Sequence, residues 1–154
     1  MIKAEFINPF FSASKDVLEQ VCNISSTRSE IYAKNGLIKE KDLKITIGIS
    51  GDIEGAISLN FDKVTALEIA SRMMGGFEIN ELNEIATSAV SELCNMIAGK
   101  SGVNFAEMKK NIDITPPVVE VNGQNCVKNY EKKILCIPLA LDLGKTMEID
   151  VAIN

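Results

Sequence analysis

Residues 43–61, LKITIGISGDIEGAISLNF, decide the fold class of this chain. Residues 43–50 are rich in β-branched side chains, which favour an extended strand. Residues 51–55, GDIEG, predict a turn, and residues 56–61 predict the returning strand. Two strands joined by so short a turn run antiparallel. The sequence therefore predicts an antiparallel hairpin near the middle of the first half.

The second half of the chain repeats this pattern. Residues 133–141 and 147–153 predict two strands joined around residues 142–145, and Pro138 is predicted to mark an edge or a bulge. Another strand is predicted at residues 118–121, after Pro116-Pro117 has ended any helix. In the first half, Ile31-Tyr32 is the only candidate for an additional strand.

Three segments show helical spacing of apolar residues. The first covers residues 6–21 with Asn8-Pro9 as its cap and first turn, the second covers residues 64–74 and closes at Gly75-Gly76, and the third covers about residues 80–100. Each half then reads as a helix, a strand, an irregular stretch and a hairpin. We expect an α+β fold with a mostly antiparallel sheet covered by helices and a weak internal α-β-x-β-β repeat.

Composition narrows the possible functions. A chain of 154 residues predicts a single domain, 1–154, and its net charge of −5 with scattered Lys and Arg argues against a nucleic-acid partner. The chain shows neither a membrane-spanning run nor a signal-peptide core, so we expect a cytoplasmic protein with no membrane partner. The absence of histidine excludes Ser-His-Asp, Cys-His and His-metal chemistry.

The four cysteines show no metal-binding or redox spacing. Without histidine, a zinc site would need Cys22, Cys94, Cys126 and Cys136 together, and none of them belongs to a C-x-x-C pair. We therefore predict reduced, buried thiols and no metal bound by this chain.

The third helical segment has two distinct faces. Projection at about 100° per residue predicts a core-facing stripe and, opposite it, a polar ridge with four-, three- and four-residue steps. The predicted stripe consists of Leu82, Ile85, Ala86, Ala89, Leu93, Met96 and Ile97, and the predicted ridge consists of Ser88, Glu92, Asn95 and Gly99.

Glu92 and Asn95 lie one helical turn apart and could act together. A carboxylate can hold an ammonium group, and a carboxamide can both donate to and accept from a water molecule. Neither group is a strong nucleophile. Such a pair suits the completion of a phosphoryl-transfer site on another protein, because that chemistry depends on positioning water and stabilising charge.

The segment Ser88-Ala-Val-Ser-Glu92-Leu-Cys-Asn95 resembles the Ser/Asp-x-x-x-Glu-x-x-Asn signature of the CheC, CheX and FliY phosphatases. A single such helix resembles CheX rather than CheC, since Glu19 in the first helix is followed three residues later by Cys22 and not by Asn. Further blocks that resemble CheX occur in the same order along the chain, at residues 4–8, 47–51, 54–55, 73–76 and 112–117.

The resemblance implies an enzyme that accelerates hydrolysis of the aspartyl-phosphate of a CheY-type response regulator in chemotaxis. It implies that Asn95 orients the attacking water, that Glu92 anchors the receiver's lysine, and that Ser88 and Gly99 contribute to partner binding. It also implies a homodimer that binds no cofactor itself, with Mg²⁺ supplied in the receiver's site.

Two other functions stay open at this point. A domain of the same fold could bind a receiver or a flagellar-switch component without catalysis, with the ridge used for recognition alone. A redox or small-molecule domain built on the cysteines has no basic residue placed to activate a thiol.

The glycines at residues 51–55 and 75–76 lack the Lys-Ser/Thr ending of a phosphate-binding loop, so we assign them to turns and caps.

Overall fold

The computed structural model describes residues 4–121, 127–142 and 144–153 of the chain. A 3₁₀ turn at Ala4–Phe6 leads into the first helix. The described helices are α1 (Asn8–Cys22), α2 (Lys63–Met73) and α3 (Glu84–Glu107). The described strands are β1 (Ser26–Arg28), β2 (Tyr32–Lys39), β3 (Leu43–Gly51), β4 (Gly55–Phe61), β5 (Ile112–Ile114), β6 (Val118–Val121), β7 (Val127–Leu141) and β8 (Lys145–Ile153).

All the described strands pair antiparallel in one sheet, which confirms the α+β prediction. The order is β1-β7-β8-β4-β3-β5, with β2 also paired to β7 and β6 also paired to β3. The predicted central hairpin is present, with Leu43 opposite Phe61 and Ile49 opposite Gly55. Strands β4 and β8 pair at the centre, and each side of the sheet contains strands from both halves of the chain, because β1 and β2 pair with β7 while β5 and β6 pair with β3.

The helices cover one face of this sheet. Side chains alternate along each strand, so β3 sends Leu43, Ile45, Ile47 and Ile49 into the core, while Lys44 and Thr46 lie on the opposite, polar face. The inward residues of the strands meet buried residues of α1, α2 and α3 in one apolar cluster. Among the described residues, no helix is long and apolar enough to cross a membrane.

The long helix is displaced relative to its predicted bounds of 80–100. It begins at Glu84 because the side chain of Asn83 caps it, accepting a hydrogen bond from Ala86 N at 2.9 Å. It continues to Glu107, past Gly99 and Gly102, because Phe105 is fully buried and holds the last turns against the core. Packing therefore outweighs the low helix propensity of the two glycines.

Pro138 lies in an interior strand and not at an edge, so that part of the prediction was wrong. It stands opposite Glu148 of β8, and its carbonyl accepts from Ser29 N at 3.0 Å. Its nitrogen points to the same side as this carbonyl, where β1 has ended and β2 has not yet begun. The missing N–H therefore falls in a gap between two partner strands, where proline is tolerated.

Two strands are longer than the sequence predicted. Strand β7 begins at Val127, ahead of the predicted residue 133, and it pairs with β2, which extends far beyond Ile31-Tyr32. Both segments contain several Lys and Asn residues, and β2 also contains Gly36, and these residue types are disfavoured in strands. The pairing between β2 and the start of β7 stabilises both as strands.

Glycines end α2 as predicted. Gly75 and Gly76 have φ values of 76° and 93°, and Gly76 N donates to Ser71 O at 2.8 Å. This left-handed cap stops the helix and turns the chain towards the start of α3. It places Phe77 beside Met74 and Ile85 in one surface depression.

Candidate functional site

The predicted polar ridge lies on the outer side of α3. Ser88, Glu92 and Gly99 are exposed, and Asn95 is partly exposed beside them. The opposite side of the helix is anchored in the core by Ala86, Ala89, Val90, Leu93, Cys94, Ile97, Ala98, Ser101 and Phe105. The helix therefore holds the ridge rigidly above the sheet, facing away from the core.

The predicted core stripe was wrong at Ile85 and Met96. Their exposed fractions are 59% and 37%, and Val103, also on α3, is 52% exposed. At about 100° per residue these three side chains project within roughly 40° of Glu92, so they share its face. The helical projection of the sequence already places Ile85 and Met96 beside Glu92, but the prediction assigned them to the core stripe because they are apolar. The ridge is therefore a mixed surface of polar and apolar groups.

The side chains of Glu92 and Asn95 are available to a partner. Among the residues that the structure describes, neither takes part in an ion pair or a side-chain hydrogen bond. Three residues along an α-helix correspond to a rise of about 4.5 Å, so a partner can contact both groups at once. By contrast, Asn104 on the same helix is used internally, donating to the carbonyl of Pro9 at 3.1 Å.

Ser88 and Gly99 flank this pair. Elsewhere on the helices, the hydroxyls of Ser14 and Ser101 donate to carbonyls one turn earlier at 2.8 Å, but within the described residues Ser88 forms no such bond. A Cβ built on Gly99 would meet nothing within 4 Å. Internal packing therefore does not require glycine at position 99.

A second polar cluster lies on the sheet face opposite the helices. One sulfur and two carboxylates, from Cys136, Glu148 and Asp150, lie within 4.8 Å of one another. Lys34 Nζ lies 2.8 Å from Asp150 Oδ2 and 3.4 Å from Glu148 Oε2. Burial raises the pKa of Asp150, and the lysine opposes that rise. The cluster thus contains its own cation, which a metal ion would have to displace.

The cysteines described by the structure are buried and poorly suited to redox chemistry. Burial raises the pKa of the Cys22 thiol to about 11 and that of Cys136 to about 12, and it also raises the pKa of Cys94. A thiol reacts as its thiolate, so these groups are unreactive near neutral pH. Cys126 lies outside the described residues.

Comparison with known proteins identifies the family to which this chain belongs. Residues 43–140 match the family model "Chemotaxis phosphatase CheX". The CheY-P phosphatase CheX of Thermotoga maritima is 31% identical over 151 residues, which are 98% of this chain and 97% of that protein. The chain therefore belongs to the CheX family of chemotaxis phosphatases, and the predicted resemblance is confirmed.

Solved structures agree with this family. A CheC-like superfamily protein from Shewanella sp. PV-4 superimposes with a TM-score of 0.86 at 24% identity, covering 99% of each chain, and thus shares the fold. A chain of the CheX–CheY–BeF₃–Mg²⁺ complex from Borrelia burgdorferi gives a TM-score of 0.75 at 26% identity, again covering 99% of each chain.

Proposed function

We propose that this protein accelerates hydrolysis of the aspartyl-phosphate of a CheY-type receiver, with Asn95 orienting the attacking water and Glu92 anchoring the receiver's lysine. The observation that carries the proposal is the free, outward-facing Glu92 and Asn95 pair on a helix whose other face is locked in the core. Membership of the CheX family and the Borrelia burgdorferi complex support the choice of receiver.

The division of labour follows from the chemistry of the two side chains. Water attacks phosphorus while the bond to the aspartyl oxygen breaks, giving inorganic phosphate and the free carboxylate. The Asn95 amide can accept from this water and donate to a phosphoryl oxygen, which holds the water in line. The Glu92 carboxylate pairs with an ammonium group and so fixes the register of the helix on the receiver.

The receiver's own acidic residues would hold the Mg²⁺, which would supply neutralisation of charge on the phosphoryl group. The role of this chain is to supply positioning, which an exposed rigid helix can do and which requires no nucleophile of its own.

Ser88 and Gly99 complete the proposed contact surface. The exposed Ser88 hydroxyl is free to bond the partner, and the bare helix backbone at Gly99 permits a close approach. Glycine in a helix is about 1 kcal/mol less favourable than alanine, and here no internal contact offsets that penalty. Access by the receiver accounts for its presence.

The decisive experiment follows loss of ³²P from a phosphorylated CheY-type receiver in Mg²⁺, with this protein and with its Asn95→Ala variant. Acceleration that the substitution abolishes supports the proposed catalysis. If the protein binds the phosphorylated receiver without accelerating ³²P release, the chain is a binding module and the proposal is wrong. Gln20→Ala, an exposed amide on α1, serves as the matched control.

We also propose that the protein is a homodimer, as the resemblance implies. Val118 and Val121 of β6 and Val127 of β7 are each more than half exposed, which leaves apolar strand surface available for a second copy. Sedimentation velocity should give twice the 16.8 kDa mass of the chain, whereas a monomer at micromolar concentration would contradict the proposal.

A further inference from the structure

An apolar groove adjoins the Glu92 end of the ridge. It consists of two neighbouring depressions of about 580 and 510 Å³ that share Met74 and Ile85. Phe77 lines one of them and is 73% exposed, while Ile85 and Met74 are 59% and 42% exposed. Large apolar side chains clustered in this way are unusual on a surface that meets only water.

The rim of the groove is acidic. Glu78 and Glu81 line the outer depression, and Glu84 and Glu92 line the inner one. None of the described residues that line either depression is Lys or Arg. The groove therefore favours an apolar group accompanied by positive charge, and it disfavours an acidic surface.

The groove is continuous with the proposed site. Ser88 and Glu92 of the ridge are themselves part of its inner lining. A protein that contacts both Glu92 and Asn95 therefore lies directly beside this lining. The inner depression also contains Met73 and Met74, so the apolar surface begins where the ridge ends.

We propose that this groove is a docking surface for the receiver itself, and this inference rests on the proposed function. It takes an apolar side chain flanked by Lys or Arg from the receiver surface next to the phosphoaspartate. Methionine adapts its shape to a partner, and aromatic residues such as Phe77 are typical of the centre of protein interfaces. The groove supplies binding and orientation, while Asn95 supplies the catalytic contact.

The test compares steady-state dephosphorylation by the wild-type protein with that by Phe77→Ser and Ile85→Ser. Both residues are exposed, so the variants should fold normally, which circular dichroism and thermal melting check. We expect the KM for phosphorylated receiver to rise about tenfold, as for loss of a central interface contact, with kcat changed less than about twofold.

Val64→Ser provides the matched control. Val64 is 64% exposed on α2, but it precedes Met73, which lines the inner depression, by nine residues and so lies on the opposite side of that helix. Its KM should equal that of the wild type. Equal increases in KM for Val64→Ser and the groove variants would overturn the assignment, because they would reflect a general effect of surface polarity.

Charge reversal examines the rim. At low salt, Glu81→Lys should raise KM above that of the wild-type protein. This difference in KM between variant and wild type should shrink as NaCl is added. An unchanged KM in every groove variant, with wild-type acceleration intact, overturns the docking surface and leaves the proposed phosphatase function standing. If the groove variants instead change the sedimentation coefficient, the occupant is a second copy of this chain and the receiver assignment is wrong.

Absence of acceleration by the wild-type protein would overturn the proposed function, and the docking surface with it. The Asn95→Ala variant separates the two proposals in the other direction. Its kcat should fall while its KM stays at the wild-type value. The groove variants should instead keep the wild-type kcat and show a raised KM.

Discussion

The two halves of the molecule have the same architecture and different surfaces. Helix α1 precedes strands β1–β4, helix α3 precedes strands β5–β8, and the sheet order is symmetrical about the central β4 and β8 pair. On α1 the exposed residues Asn8, Ser12, Lys15 and Glu19 repeat the four-, three- and four-residue steps of the ridge on α3. The halves therefore provide equivalent platforms, and only the one on α3 carries the Glu-x-x-Asn pair. Under the proposed function, activity depends on these side chains and not on the fold that the halves share.

Asn95→Ala should have the largest effect. Removing the group that positions the water should lower kcat by about 10²-fold or more, with the melting temperature unchanged because the side chain is partly exposed. Single-turnover ³²P release measures this. The matched Gln20→Ala on α1 should leave the rate at its wild-type value, and a loss there would break the proposed difference between the halves.

Cys22→Asn should come next, and its effect should be on stability. The substitution writes a second Glu-x-x-Asn motif into α1, but position 22 is 3% exposed and the amide would be buried without partners. We expect the free energy of unfolding to fall by about 2 kcal/mol. Urea denaturation measures the loss. A rise in phosphatase rate per chain would contradict the view that only α3 offers a site.

Glu92→Ala should have a smaller effect, mainly on receiver engagement. Loss of one charge-assisted contact should raise KM about tenfold, with a more modest change in kcat. Titration calorimetry with a receiver held in its phosphorylated form by beryllofluoride gives the affinity directly. Glu19→Ala on α1 removes the same charge from the other platform and should leave the affinity unchanged.

Gly99→Ala should have the smallest effect, and it should improve stability while weakening receiver binding. The added methyl meets open space, so helix propensity should raise the free energy of unfolding by about 1 kcal/mol. The same methyl should obstruct the receiver and raise KM about fivefold. Thermal melting and steady-state kinetics on one preparation check both. A stabilised variant with wild-type KM would show that the receiver does not approach this part of α3.

Much of the fold was predictable because its signals are local. β-Branched residues and a glycine-containing turn predict the hairpin of β3 and β4. Two consecutive glycines predict the end of α2. Strand β2 and the start of β7 were missed because their order depends on pairing across a separation of about a hundred residues. The gap that accommodates Pro138 is likewise a property of two other strands.

The candidate site was predictable to a different degree. Helical periodicity alone placed Ser88, Glu92, Asn95 and Gly99 on one face, and the structure agrees. The apolar part of that face was missed at Ile85 and Met96, since hydrophobicity was equated with burial. The groove could not be foreseen at all, because Phe77 reaches α3 only through the turn made by Gly75 and Gly76.

Asn95 lies near the middle of the 24-residue helix α3, and this has a thermodynamic consequence. Helix ends fray, but central turns flanked by buried residues open only when the domain unfolds. The backbone amides from Glu92 to Asn95 should therefore be among the slowest to exchange with deuterium. A platform that is already ordered loses little conformational entropy when a receiver arrives, so even a brief encounter can be productive.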